Sequence, residues 1–160
     1  MIGKFKVLRI AAAAPLEKVV QLLEETADSH GFEITEKTDL AKVYKRQTNG
    51  KLSGKIVLFQ MHKPSITMSS ALLEDMTLLI LPLRAIVQEI GESKTALYFP
   101  NWDLDDDAES NQAKRCMNVV YSDTLNNLAV ALKNSLDLEC GPCVDAVIEN
   151  NHDQIPFIMW

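Results

Sequence analysis

Two cysteines near the end of the sequence are separated by two residues, in the run Cys140-Gly141-Pro142-Cys143. Two thiols at this spacing can form a strained disulfide that is easily reduced. If residues 144–150 form helical turns, the positive end of that helix would lower the pKa of the first thiol and make it a better nucleophile. One interpretation is therefore a redox pair with Cys140 and Cys143 as catalytic residues.

Two other interpretations of this run stay open. The same four residues occur in thioredoxin-like oxidoreductases, but that fold needs several strands after the motif, and only 17 residues follow Cys143. A structural zinc site needs four ligands, and the candidates are Cys140, Cys143, His152 and either Cys116 or Asp153. In the third interpretation the run only begins a helix or a tail, and Cys116 is a buried small hydrophobic residue. We expect no metal and no cofactor.

A second candidate site consists of three basic side chains, His62, Lys63 and Arg84. They could share one end of a sheet and bind an anionic small-molecule ligand, or they could equally be a hydrated loop and an edge residue. His30 lies where a helix should end, and a histidine there often only meets the negative end of the helix dipole. The sequence contains no nucleophile elbow, phosphate loop or dinucleotide fingerprint. These absences favour a protein without catalytic activity over an enzyme.

The last six residues, 155–160, include five large apolar side chains. Burying such side chains is worth roughly 1.5–3 kcal/mol each, and leaving them in water invites aggregation. We therefore expect this segment to dock on the sheet of its own chain or of a second subunit, with Phe157 and Trp160 as anchors. Pro156 cannot donate a hydrogen bond to a sheet, so docking should occur through side chains or at an edge.

Length and composition predict one soluble domain. A chain of 160 residues can bury a sizeable core without disulfides, and 47% hydrophobic and 24% charged residues are ordinary for a globular protein. No apolar run is long enough to cross a membrane, and a net charge of −6 argues against nucleic acid as a partner. Three cysteines without framework spacing favour a reducing compartment, so we expect a cytoplasmic protein.

Hydrophobic periodicity predicts the elements that must position these residues. Strands are expected near 4–10, 32–37, 55–61, 84–90 and 94–99, and helices near 15–30, 64–75 and 106–135, whereas 39–46 has no clear assignment. Pro15 suits a first helical turn, Gly31 suits a left-handed cap, and Asp106 with Glu109 suits a capping box. The apolar strand near 55–61 should be covered on both faces. The core should contain Leu16, Val20, Leu23, Val57, Phe59, Ile86, Val120 and Leu128.

Three segments in this order resemble the Domain of Unknown Function 302 family. They are an amphipathic helix ended by Gly31-Phe32, a strand followed by Lys63-Pro64 and a helix carrying Ala71-Leu72, and a strand opened by Leu81-Pro82. The resemblance covers about residues 4–136. The family commonly has a cysteine just after the Leu-Pro pair, where this chain has Leu83, so any activity that depends on that thiol is in doubt.

The resemblance implies an α+β fold with a single curved, mainly antiparallel sheet and helices on one face, in the order β-α-β-β-α-β-β-α, like the TATA-binding protein but without implying DNA binding. Residues 1–136 would form this domain, and 137–160 a C-terminal extension. We expect a small ligand-binding or assembly module without catalysis, which forms a homodimer or covers its sheet with its own tail. The alternative is a thiol-disulfide or thiol-metal protein that uses Cys140 and Cys143.

Overall fold

The structure of the protein is a computed structural model, which describes residues 6–48, 54–65, 83–101, 112–141, 143 and 145–149. Its centre is one six-stranded sheet in the order β2-β3-β4-β5-β1-β6, and every neighbouring pair is antiparallel. The strands are β1 (Lys6–Ala12), β2 (Glu33–Asp39), β3 (Ile56–His62), β4 (Leu83–Gly91), β5 (Lys94–Asn101) and β6 (Asp145–Glu149). The single antiparallel sheet that the sequence predicted is confirmed.

Helix α1 (Leu16–Ser29) follows β1 and buries the apolar stripe that the sequence predicted. Its C-terminus is closed by two hydrogen bonds, from Gly31 N–H to the Asp28 carbonyl (3.0 Å) and from Phe32 N–H to the Ala27 carbonyl (2.9 Å). This is a Schellman motif, and it requires the left-handed backbone that Gly31 adopts at φ +76°. The expected glycine cap is confirmed. Pro15 differs slightly from expectation, since it is extended and precedes the first helical residue.

Helix α2 (Leu40–Thr48) occupies the segment that the sequence left unassigned. Asp39 precedes it, and its Oδ1 accepts the Lys42 backbone N–H at 3.2 Å, as an N-cap does. Beyond β3, Pro64 and Ser65 are helical, but most of the helix expected at 64–75 lies outside the described residues.

Helix α3 (Gln112–Cys140) is 29 residues long and continues five residues past the end that the sequence predicted. The proposed cap at Asp106 lies outside the described residues, and so does the side chain of Cys116. No helix in the described part of the chain combines the length and the apolar character needed to span a membrane.

Strand β6 rules out the helical turns at residues 144–150 on which the redox interpretation depended. Residues 145–149 instead pair with β1, from Val7 opposite Glu149 to Ala11 opposite Asp145. The run Asp145–Glu149 is short and its centre is Ala-Val-Ile, so pairing along the free edge of β1 decides its conformation. Part of the predicted C-terminal extension therefore belongs to the sheet.

The core lies between one face of the sheet and helices α1 and α3. The strands contribute alternate residues, including Ile10, Phe59, Val87 and Phe99, which are almost completely buried. Six of the eight predicted core residues are buried: Leu16, Val20, Leu23, Val57, Phe59 and Leu128. Ile86 was wrongly predicted. It is 36% exposed, because Leu83, Ala85 and Val87 take the inward positions of β4. The side chain of Val120 lies outside the described residues.

Candidate functional site

The Cys-Gly-Pro-Cys run lies at the end of a helix and not at its beginning. Cys140 is the last residue of α3, and Gly141 has a φ of +90°, a left-handed conformation that favours glycine. A helix C-terminus carries partial negative charge, so the activation of Cys140 by a helix N-terminus does not occur here. A glycine after the last helical turn, followed by a proline, is a common signal for ending a helix. The run is therefore explained by chain geometry.

Asp137 holds the chain after this helix end. Its Oδ1 accepts the backbone N–H of Cys143, which bends the chain back toward the last turn of α3. Acidic side chains are unfavourable at a helix C-terminus, but this hydrogen bond, with the Cys143 thiol as a second partner, lowers the pKa of Asp137 below its usual value. The carboxylate is thus kept ionised beside Cys143.

The same contact keeps the Cys143 thiol protonated. Burial, followed by the hydrogen bond to the Asp137 carboxylate and its negative charge, raises the pKa of Cys143 to about 12. Since the thiolate is the nucleophile and the metal ligand, this environment disfavours Cys143 as an attacking thiol and as a metal ligand. In the redox interpretation the attacking thiol is Cys140. Cys140 and Cys143 are free thiols that are half-buried against the core. Among the described residues, no group of three or more His, Cys, Asp or Glu side chains could hold a metal ion.

The three basic residues of the second candidate site do not share one face of the sheet, although His62 and Arg84 both lie on the face away from the core. His62 pairs with Glu33 of the neighbouring strand, with His62 Nε2 3.4 Å from Glu33 Oε2. The Lys63 Nζ lies 5.7 Å from the ring centroid of Phe32, which belongs to the core on the helix side. Arg84 is exposed and alternates with inward-facing Leu83 and Ala85, so it lies on the opposite face of the sheet. The structure therefore does not bring Lys63 and Arg84 together.

A row of side chains on the sheet face that turns away from α1 and α3 is a better candidate. We call this surface the outer face. The cross-strand register aligns one residue from each of five strands, namely Arg9 (β1), Tyr98 (β5), Ile86 (β4), Leu58 (β3) and Thr38 (β2). We call these five residues the outer row. The row combines one cation, one aromatic ring, two aliphatic side chains and one threonine, none of which is fully buried.

Arg9 and Tyr98 form a preorganised pair in this row. Arg9 Nε donates to the Tyr98 hydroxyl at 3.4 Å, and the guanidinium carbon lies 5.8 Å from the ring centroid. Next to them on the same face, Ala11 and Ala96 are paired across the two strands and are buried. Sequence analysis missed Arg9 and Tyr98, because they are 89 residues apart and only the pairing of β1 with β5 joins them.

His30 has a structural role. Its Nδ1 lies 2.9 Å from the Thr26 carbonyl oxygen, and Ser29 Oγ donates to the same oxygen at 2.9 Å. Both side chains therefore form hydrogen bonds with a carbonyl group in the last turn of α1. Phe157 and Trp160, the anchors expected in the tail, lie outside the described residues.

The fold matches a crystal structure of an uncharacterized conserved protein, DUF302, from Bacillus stearothermophilus. The match has a TM-score of 0.66 and covers 79% of this chain and 94% of that chain, at 13% sequence identity. At this identity the likeness concerns the fold alone, and it confirms the DUF302-like fold that the sequence predicted. No family model and no curated protein matches the sequence.

Proposed function

We propose that the protein is a non-catalytic binding module that uses the outer face of its sheet. The outer row is the observation that supports this proposal. The helix-covered face already provides the core, yet the outer face carries Ile86 at 36% exposure beside partly exposed Leu58 and Tyr98. Contiguous apolar side chains on a sheet face are commonly covered by a ligand or a partner.

One contact resembles a catalytic pair but has a structural role. Ser29 Oγ and His30 Nδ1 are 3.2 Å apart, the arrangement of a nucleophile and a base. However, both groups also contact the Thr26 carbonyl oxygen, and the serine proton is directed to that carbonyl. A histidine used in this way does not activate a nucleophile, because a general base must accept the nucleophile's proton.

The segment 155–160 and a second copy of the chain are the two protein occupants that we expected for this face. Strand β6 ends at Glu149, and the six residues to Ile155 can extend over roughly 20 Å. The distance from β6 to β3 across four strand spacings is roughly 19 Å. The tail can therefore reach the outer row, in its own subunit or in a partner. We further propose a cytoplasmic location, because a reducing compartment keeps Cys140 and Cys143 as free thiols.

A charge placed in the outer row tests the proposal. The variant Ile86→Asp should reduce binding of the neutral apolar dye Nile red by the folded protein, because a carboxylate breaks the apolar surface between Tyr98 and Leu58. Val130→Asp is the matched control, since Val130 is an aliphatic residue of α3 that is 59% exposed. Equal dye binding by wild type and both variants would contradict the proposal.

Light scattering on the same three proteins tests the predicted homodimer. If two subunits associate through this face, wild type and Val130→Asp should be dimers and Ile86→Asp a monomer. A dimer that survives Ile86→Asp would place the subunit contact elsewhere.

A further inference from the structure

Arg9 differs from the other paired cations of the structure. Lys18, Lys37, Lys42 and Lys55 each lie within 4 Å of a carboxylate, at Glu139, Glu24, Asp39 and Glu17 respectively. Arg9 is half-buried, and no carboxylate of the described residues pairs with it. Its contacts there are with Tyr98, through Nε and the face of the ring.

Within the described residues, these contacts leave the terminal nitrogens of the guanidinium without a hydrogen-bond partner. Tyr98 receives only the Nε hydrogen bond, and the nearby ring fixes the plane of the fork. A planar fork held in this way matches the two oxygens of a carboxylate. Less side-chain entropy is lost on binding when the cation is already oriented. Arg9 is therefore suited to receive an anionic head group.

The rest of the outer row suits a hydrocarbon chain. Ile86 lies opposite Tyr98, and Leu58 lies opposite Ile86. Three strand spacings separate Arg9 from Leu58, roughly 14 Å, so a medium-length chain with its head at Arg9 would lie over both aliphatic side chains. The apolar contact and the charge contact thus lie along one line.

The far end of the row gives the ligand a direction. In β2, Glu36 Oε2 accepts from Gln60 Nε2 at 2.7 Å, and Glu36 Oε1 accepts from the Thr38 hydroxyl at 3.0 Å. An anionic head would be attracted at Arg9 and repelled by Glu36, and Arg84, which the register places in line with Gln60 and Glu36, is the competing cation on this face. The net charge of −6 also disfavours polyanions such as nucleic acids, whereas a monoanion with an apolar chain gains from both contacts.

We propose that the outer row binds an amphipathic monocarboxylate, with the carboxylate on Arg9 against Tyr98 and the hydrocarbon over Ile86 and Leu58. This inference rests on the proposed function and specifies its ligand class.

Three probes separate the contributions of head and chain: octanoate has both, octanol has the chain alone, and acetate has the head alone. Binding is followed by amide chemical shifts and by calorimetry below the micellar concentration. Octanoate, whose extended chain covers about two strand spacings, should bind most tightly and shift amides of β1, β5 and β4. Octanol should bind more weakly and shift β3 and β4, and acetate should bind weakest.

Arg9→Gln should weaken octanoate binding about tenfold or more, because a hydrogen bond to a charged group is lost, and should leave octanol binding unchanged. Arg9→Lys keeps the charge without the fork, so it should fall between wild type and Arg9→Gln. Arg46→Gln is the matched control, since Arg46 is an exposed arginine of α2. Amide spectra establish that each variant is folded.

Three results would overturn this proposal. If octanoate binding is insensitive to Arg9→Gln while octanol still shifts β3 and β4, the carboxylate assignment is wrong but the binding module stands. If Arg84→Gln weakens octanoate and Arg9→Gln does not, the head group lies at the other end of the face. If none of the probes shifts the outer-face strands, the ligand class fails, whereas the proposed binding module is decided by the Nile red and light-scattering measurements on Ile86→Asp.

Discussion

Replacing Gly141 by alanine should destabilise the protein without any contribution from the thiols on either side. At φ +90° an L-residue is strained, and a Cβ at this position would have no neighbour within 4 Å, so the cost is that of the backbone alone. Left-handed backbone costs an L-residue about 1–2 kcal/mol. In a protein of this size each kcal/mol lowers Tm by about 2–4 °C, so we expect a fall of about 2–8 °C.

Thermal unfolding followed by circular dichroism, with urea denaturation as a second measure, gives the change in free energy. Gly91→Ala is the control, because Gly91 has no positive φ and its added Cβ would meet Lys94 Cβ at an ordinary 3.6 Å. That variant should keep its stability or gain up to about 1 kcal/mol.

The thiols are removed in a second background, Cys140→Ser with Cys143→Ser. The Gly141→Ala penalty should be the same there, because it comes from the backbone. No penalty in either background would refute the assignment of the run as a helix end. A penalty that disappears with the thiols would instead tie Gly141 to cysteine chemistry.

Further outcomes concern the thiol, its carboxylate partner and the tail. Iodoacetamide should alkylate Cys143 with an apparent pKa well above the free-thiol value of about 8.5, and a value below it would revive the redox interpretation. Because the fold lowers the pKa of Asp137, its contribution to stability is present above the unfolded value near 3.9 and is lost as pH falls through the folded pKa. Asp137→Asn should therefore reduce the pH dependence of the free energy of unfolding between pH 2 and 5. An unchanged pH dependence would argue against the contact between Asp137 and Cys143. Deleting residues 155–160 should lower Tm or change the oligomer size, and no change in either would mean that the tail has no docking role.

Much of the fold could be predicted because its signals are local. The stripe of α1, the cap at Gly31 and the hairpin of β4 and β5 each depend on residues close together in the chain. Ile86 is an error that the local pattern could have prevented. In β4, Arg84 and Gln88 lie two residues before and after Ile86 and share its face, so the alternation of polar and apolar residues places Ile86 outward.

The candidate site could not be predicted in the same way, because contacts between distant parts of the chain bring its residues together. The four-residue cysteine run is compatible with a helix start and with a helix end, and only the extension of α3 to Cys140 decides between them. A signal was nevertheless available, since Gly-Pro directly after a long amphipathic segment favours a helix end. The hydrogen bond between Asp137 and Cys143 could be predicted only if the bend of the chain after Gly141 was already known. The Arg9–Tyr98 pair needs the order of the strands, which no local pattern contains.

The place of β1 in the sheet has a consequence for synthesis on the ribosome. Strand β1 lies between β5 and β6, so its hydrogen-bonding partners follow it by about 80–140 residues. At roughly 5–20 residues per second, the nascent chain waits several seconds before β5 emerges. During that interval β1 can pack against α1 but has both edges unpaired, which exposes it to chaperones and to strands of other chains. Pairings this distant also favour folding in milliseconds to seconds after release, slower than in helical proteins of similar size.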